Sequence, residues 1–149
     1  MAGLKGYSAS AENALAAATA ETLLQLVAAT NKPVKVKGWG VYFDGTSVTA
    51  EPVQVTVNLQ SSAGTSSAGT VTPLDSHDAR VMETTALVSF TAEPTTGVVL
   101  DMAEVHPQGS YEVIYPDGWE RWVASGARIG IIATAPAIVN ARAKFLFEE

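Results

Sequence analysis

Hydrophobic and polar residues alternate with a period of two over most of the chain beyond residue 20, the signature of strands with one buried face. At 53–60, Val53, Val55, Val57 and Leu59 fall on one side and Gln54, Thr56, Asn58 and Gln60 on the other. At 138–148, Val139, Ala141, Ala143, Phe145 and Phe147 alternate with Asn140, Arg142, Lys144, Leu146 and Glu148. Both runs predict strands with one wet face. In 33–43 the phase slips: Val34 and Val36 share one side, Trp39, Val41 and Phe43 the other, and the slip falls at Gly38. A glycine at a slip predicts a β-bulge or a strand that bends between two sheets. Further strands are predicted at 20–28, 82–91, 98–105, 111–115, 119–124 and 128–134, with Pro116-Asp117-Gly118 turning 111–124 into a hairpin. Eight or nine short strands separated by turns predict an all-β antiparallel sandwich or barrel.

Two segments depart from this pattern. Residues 1–19 are rich in Ala, Ser and Gly and read as an N-terminal arm or a short helix capped by Ser10, ahead of a single β-domain at 20–149. The doublet SSAGTSSAGT at 61–70 is small and polar and reads as an exposed loop. The tetrapeptide TAEP occurs at 49–52 and 91–94, but the flanking residues do not agree between the copies. Pro52 and Pro94 each follow one apolar run and precede another, and both push the preceding glutamate toward extended backbone. TAEP therefore reads as a strand-to-strand joint. The sharper alternative makes Glu51 and Glu93 a catalytic carboxylate pair or a cation site at one end of the fold.

Composition narrows the function classes. The chain of 149 residues is long enough for one core, and its lack of cysteine removes thiol chemistry and disulfides. Charged residues are 16% of the chain, below the roughly 25% of average soluble domains, so much of the surface is suited to contact with other protein. A net charge of −6 argues against nucleic-acid partners. No apolar run is long enough for a membrane span, and Glu12 and Asn13 interrupt the only stretch resembling a secretion signal.

Chemistry-bearing motifs are sparse. Ser76, His77 and Asp78 are adjacent, which forbids triad geometry, and Asp75, His77 and Asp78 match no standard ligand spacing. A two-histidine metal site would need His106 to converge on His77. Lys32, Lys35 and Lys37 form the only basic cluster and suit the blunting of an edge strand. The aromatic group Tyr111, Tyr115, Trp119 and Trp122 is the better clue, because Trp and Tyr anchor protein contacts and also stack on sugars. In a hairpin Trp119 and Trp122 would point to opposite faces, one of them into the core.

Several phrases together, LLQLVAATNKPVKVKGWGVYFDGTSVTAEPVQV, TALVSFTAEPTTG, EVHPQG and GARIGIIATAPAIVNARAKFLFEE, resemble small virion proteins of tailed bacteriophages and prophages, the head decoration or cement proteins. The resemblance covers about residues 20–149, apart from YPDGWERW. It implies a jelly-roll sandwich of about eight strands and no enzymatic activity or cofactor. It further implies a trimer on the outer surface of the assembled capsid, tying major capsid protein subunits together. Leu4, Tyr7 and Leu15 of the arm, with Tyr111, Trp119 and Trp122, are then the expected contact residues. The alternative is a carbohydrate- or receptor-binding domain of a tail or virion surface.

Overall fold

The computed structural model describes residues 5–45 and 51–149. Among the described residues the secondary structure is all β, with twelve strands and no helix. These are β1 (Gly6–Leu15), β2 (Ala20–Val27), β3 (Val34–Phe43), β4 (Val53–Gln60), β5 (Thr65–Ala68), β6 (Thr70–Pro73), β7 (Thr85–Ala92), β8 (Thr96–Val105), β9 (Ser110–Ile114), β10 (Arg121–Val123), β11 (Arg128–Thr134) and β12 (Val139–Glu148). They form two antiparallel sheets. The first has the order β10-β3-β12-β1-β6, with β9 also on β3; the second has the order β5-β7-β2-β11-β4-β8.

The strongest alternations become the core strands. Val53, Val55 and Val57 of β4 are buried together with Leu24, Leu26, Ile129 and Ile131 of the same sheet, and Val139, Ala141, Ala143, Phe145 and Phe147 of β12 are buried in the other sheet. Fully burying a valine, leucine, isoleucine or phenylalanine side chain contributes about 1.5–3 kcal/mol, so the layer between the sheets supplies the main driving force. The slip in β3 is a bulge. Leu146 pairs with Gly38 and Phe147 with Val36, leaving Lys37 as the extra residue. That one-residue insertion lets Val34 and Val36 join Trp39, Val41 and Phe43 on the buried face.

Four expectations are corrected. Residues 6–15 are neither arm nor helix but strand β1, paired over ten residues with β12 and over four with β6. Tyr7 stacks on Phe147 with ring centroids 5.6 Å apart, while Ala9 lies opposite Phe145, so small and large side chains interleave. A boundary at residue 19 therefore does not divide the fold. Second, the doublet at 61–70 is not a free loop. β5 forms one edge of the second sheet and β6 one edge of the first, with Gly69 crossing between them through its amide to the Ala86 carbonyl, 2.8 Å.

Third, the supposed wet face of β4 is partly covered. Asn58 and Gln60 are buried, and Gln60 accepts from Gln25 at 2.7 Å and donates to Thr22 at 3.2 Å. The joints at 61–62 and 93–95 pass beside this row: Ser61 donates to the Thr95 carbonyl, and the Thr22 amide donates to Glu93. Fourth, 111–124 is not a hairpin. β9 pairs with 42–38 and β10 with 36–34 of the same strand, so they are two pieces of one edge strand separated by an excursion.

Candidate functional site: the Trp119 turn

The chain leaves the edge of β3 at Tyr115 and returns at Arg121. Pro116 has no amide to offer a ladder, and Gly118 adopts φ +89°, a conformation most residues avoid. The Trp119 amide donates to the Pro116 carbonyl at 2.9 Å and closes the turn. Turn chemistry read as a reversal thus ejects a short loop from a continuous edge.

Two buried supports hold that loop. The first is at the seam between the sheets. The Tyr115 amide donates to the Lys37 carbonyl at 2.8 Å, and its hydroxyl donates to Asp101 Oδ2 at 3.0 Å. The Trp39 indole N–H reaches the same carboxylate oxygen and the Tyr115 hydroxyl oxygen, each at 3.1 Å. Arg121 lies over the Tyr115 ring, 5.4 Å from its centroid, and donates to the Leu100 carbonyl at 3.2 Å. Burial, followed by the hydrogen bond and charge of Asp101, pushes the Tyr115 hydroxyl up to about 12, so it remains a donor at neutral pH.

The second support is Glu120, whose side chain is almost wholly buried. Its carboxylate accepts from Lys37 at 2.9 Å and from the Gly118 amide at 2.7 Å, and lies 3.1 Å from Lys35 Nζ. The Lys37 hydrogen bond, with backbone amides and Lys35 adding to it, holds the carboxyl at about 2. Lys37 also donates to Asp117 at 2.9 Å, and these bonds raise its own pKa above the usual lysine range. The basic cluster therefore does not blunt an edge, since β3 is flanked on both sides. Lys35 and Lys37 neutralise Glu120, and Lys32 pairs with Glu83 and Glu149.

Above these supports Trp119 is 73% exposed and Trp122 58% exposed. Neither enters the core, contrary to the hairpin expectation: Trp39 occupies the core from β3, and Val123 is the buried residue of β10. Trp122 stands opposite Lys35, whose ammonium sits 5.7 Å from the ring centroid. Tyr111 is partly exposed, with its ring 5.4 Å from that of Trp39. Tyr7 and Leu15, expected as arm contacts, are 3% and 1% exposed and belong to the core, because β1 is an interior strand. Leu4 lies outside the described residues. The sequence reading missed Glu120, Asp101 and Arg121, whose partners are brought together only by the pairing of distant strands.

The other candidate chemistry disperses. Glu93 accepts from the Thr22 amide, which through Ile132 is level with Thr56, whereas Glu51 precedes the first residue of β4. Strand rise and spacing put the two glutamates on the order of 15 Å apart. Paired glycosidase carboxylates lie about 5–9.5 Å apart, so the pair reading fails. Both prolines do stand at strand entries, Pro52 directly before β4 and Pro94 two residues before β8. His77 follows β6 and His106 lies between β8 and β9, on opposite sides of the sandwich. Among the described residues no three His, Cys, Asp or Glu side chains group as a metal site, and no helix is long and apolar enough to cross a membrane. What the turn offers chemically is a rigid apolar protrusion beside charged groups, suited to binding. No family model, curated protein or solved structure matches this chain.

Proposed function

We propose that the protein is a decoration protein of a tailed-phage head, a non-enzymatic component bound to the outer surface of the capsid. The observation that carries a binding role is the distribution of exposed apolar side chains. Of the ten large hydrophobic residues exposed among the described residues, seven lie on one side of the sandwich, on β8 to β10: Val98, Val99, Met102, Tyr111, Ile114, Trp119 and Trp122. Such a concentration on one side marks an interaction region.

The strand order supports the jelly-roll part of the reading. With β5–β7 taken as an insertion, the sheets read β1-β12-β3-β9/β10 and β2-β11-β4-β8, the interleaving of two Greek keys. In this reading the β8–β10 side meets the major capsid protein, and many copies, assembled as trimers, reinforce the shell by multivalency. The terminal strand takes no part in docking. The test is cosedimentation of the purified protein with empty heads of the phage that encodes it, followed by cryo-EM. Saturable, symmetric exterior density is expected. A folded protein that stays in the supernatant would overturn the reading. If that protein then bound glycans, with loss on Trp122→Ala, the receptor-binding alternative would take its place.

A further inference from the structure

We propose that the Trp119 turn is a preformed docking anchor that inserts into an apolar pocket rimmed by lysine or arginine on a partner protein. Resting on the decoration reading, that partner is the coat-protein surface of the assembled head.

The first argument is rigidity combined with exposure. The loop is tied by Tyr115 to Lys37 and Asp101, by its own Trp119–Pro116 hydrogen bond, and by Glu120 to Lys35, Lys37 and Gly118. A tryptophan recruited for stability would fold back over this framework, yet Trp119 has nearly three-quarters of its surface in solvent. The tethers hold the turn in a single shape, so the ordering cost of association is largely met before contact. Tryptophan on such a turn is the residue type that dominates binding energy when it enters a pocket.

The second argument concerns how the neighbouring edges are closed to other modes of contact. β8 carries register shifts beside Val57 and Asn58 of β4, and Arg121 occupies its Leu100 carbonyl. The β9/β10 edge is broken by the turn itself. Bulged and interrupted edges pair poorly with a further strand, so contact on this side goes through side chains.

The third argument is charge. Lys35, Lys37 and Arg121 lie among four carboxylates, Asp101, Asp117, Glu120 and Glu148, and the Asp117 side chain is almost fully exposed at the tip. The turn is thus slightly acidic on a chain of net charge −6. Two such turns repel each other, which disfavours a second copy at this point and favours a basic rim. The turn is also convex, while the groove of about 500 Å³ on β4 and β8 is lined by other residues, Gln54, Thr56, Met102 and Glu104 among them. A protrusion of this shape needs its pocket on the partner.

The experiment measures binding of full-length variants to empty heads by cosedimentation, with thermal melting as the folding control. Trp119→Ala is expected to weaken binding by about 30-fold, the scale of an interface hot spot. Ile138→Ala, an exposed residue at the opposite end of β12 from the turn, should leave it unchanged. Asp117→Lys should weaken binding and flatten its salt dependence. Glu120→Gln should weaken it less than Trp119→Ala and narrow the Trp119 line in fluorine NMR of fluorotryptophan-labelled protein, because the tether loosens. If wild type binds heads and Trp119→Ala binds equally well, the anchor is overturned while the decoration reading stands. Tighter binding by Asp117→Lys overturns the basic rim. Failure of wild type to bind heads removes the decoration reading and the partner named here together.

Discussion

Residues 6–15 and 115–120 exchange the fates their compositions suggest. The first stretch is mostly Ser, Ala and Gly, yet it is an interior strand whose alternate side chains line the core. The second belongs to a segment with two tryptophans in four residues, yet both stay in solvent. In both stretches, backbone donors and neighbour volume decide burial before hydrophobicity does. Ala9 fits because Phe145 fills the space opposite it, and β1, free of proline, pairs along its whole length with β12. Pro116 and Gly118 remove the loop from any ladder, so Trp119 has no sheet position from which to face inward.

The most severe way to break this contrast is to delete residues 2–15. An arm could be removed without harm, but loss of β1 strips β12 of ten paired residues and removes Tyr7, Ala9 and Leu15 from the core. We expect loss of cooperative thermal unfolding by circular dichroism; an unchanged melt would contradict the interior placement. At single-residue scale, Tyr7→Ala should cost about 3 kcal/mol in chemical denaturation, as for other buried aromatics. A change within about 0.5 kcal/mol would instead mean that Tyr7 lies on the surface.

Gly38→Ala links the two regions. A methyl group there would stand 2.5 Å from the Val113 carbonyl oxygen, backbone that cannot swing aside. The expected cost is about 2 kcal/mol of overpacking, with displaced β9 amide resonances in NMR. If the β9 resonances stay in place, the close approach of β3 and β9 is wrong.

Acid should loosen the turn. The Glu120 pKa is depressed from an ordinary value near 4.5 to about 2 in the folded protein. Its stabilising contribution is therefore complete above about pH 4.5 and is lost as pH falls toward 2. The Trp119 fluorine line should narrow over that window in wild type, and the Glu120→Gln variant should lack that transition. The smallest effect is on stability itself: Trp119→Ala should change it by no more than about 0.5 kcal/mol, because the side chain contacts mainly water. A larger loss would show that Trp119 packs against the fold.

Much of the sheet framework was legible. The alternations at 53–60 and 138–148 became β4 and β12 nearly to the residue, and the slip at Gly38 became a bulge, because burial on one face forces a period of two. β1 escaped notice because alternation among Ser, Ala, Asn and Glu has little hydrophobic contrast, although Tyr7, Ala9, Ala11, Asn13 and Leu15 do fall in one phase. β5 and β6 are edge strands of four residues, too short and polar to leave a pattern. At the turn, Trp119 and Trp122 could be picked out by type. Their supports could not, since Asp101 and Glu120 meet Trp39 and Lys37 across separations of 62 and 83 residues.

Local pattern alone specified antiparallel strands, the core faces of the strongest of them, an irregularity at Gly38 and a turn at Pro116–Gly118. Those properties follow from local periodicity and from the fixed chemistry of proline and glycine. Strand pairing in the folded chain makes the N-terminal strand interior, sets β9 and β10 on one edge, and commits Lys35 and Lys37 of β3 to Glu120. Each of these depends on which distant strands become neighbours, and that choice is made by the volume and hydrogen-bond demands of the whole core.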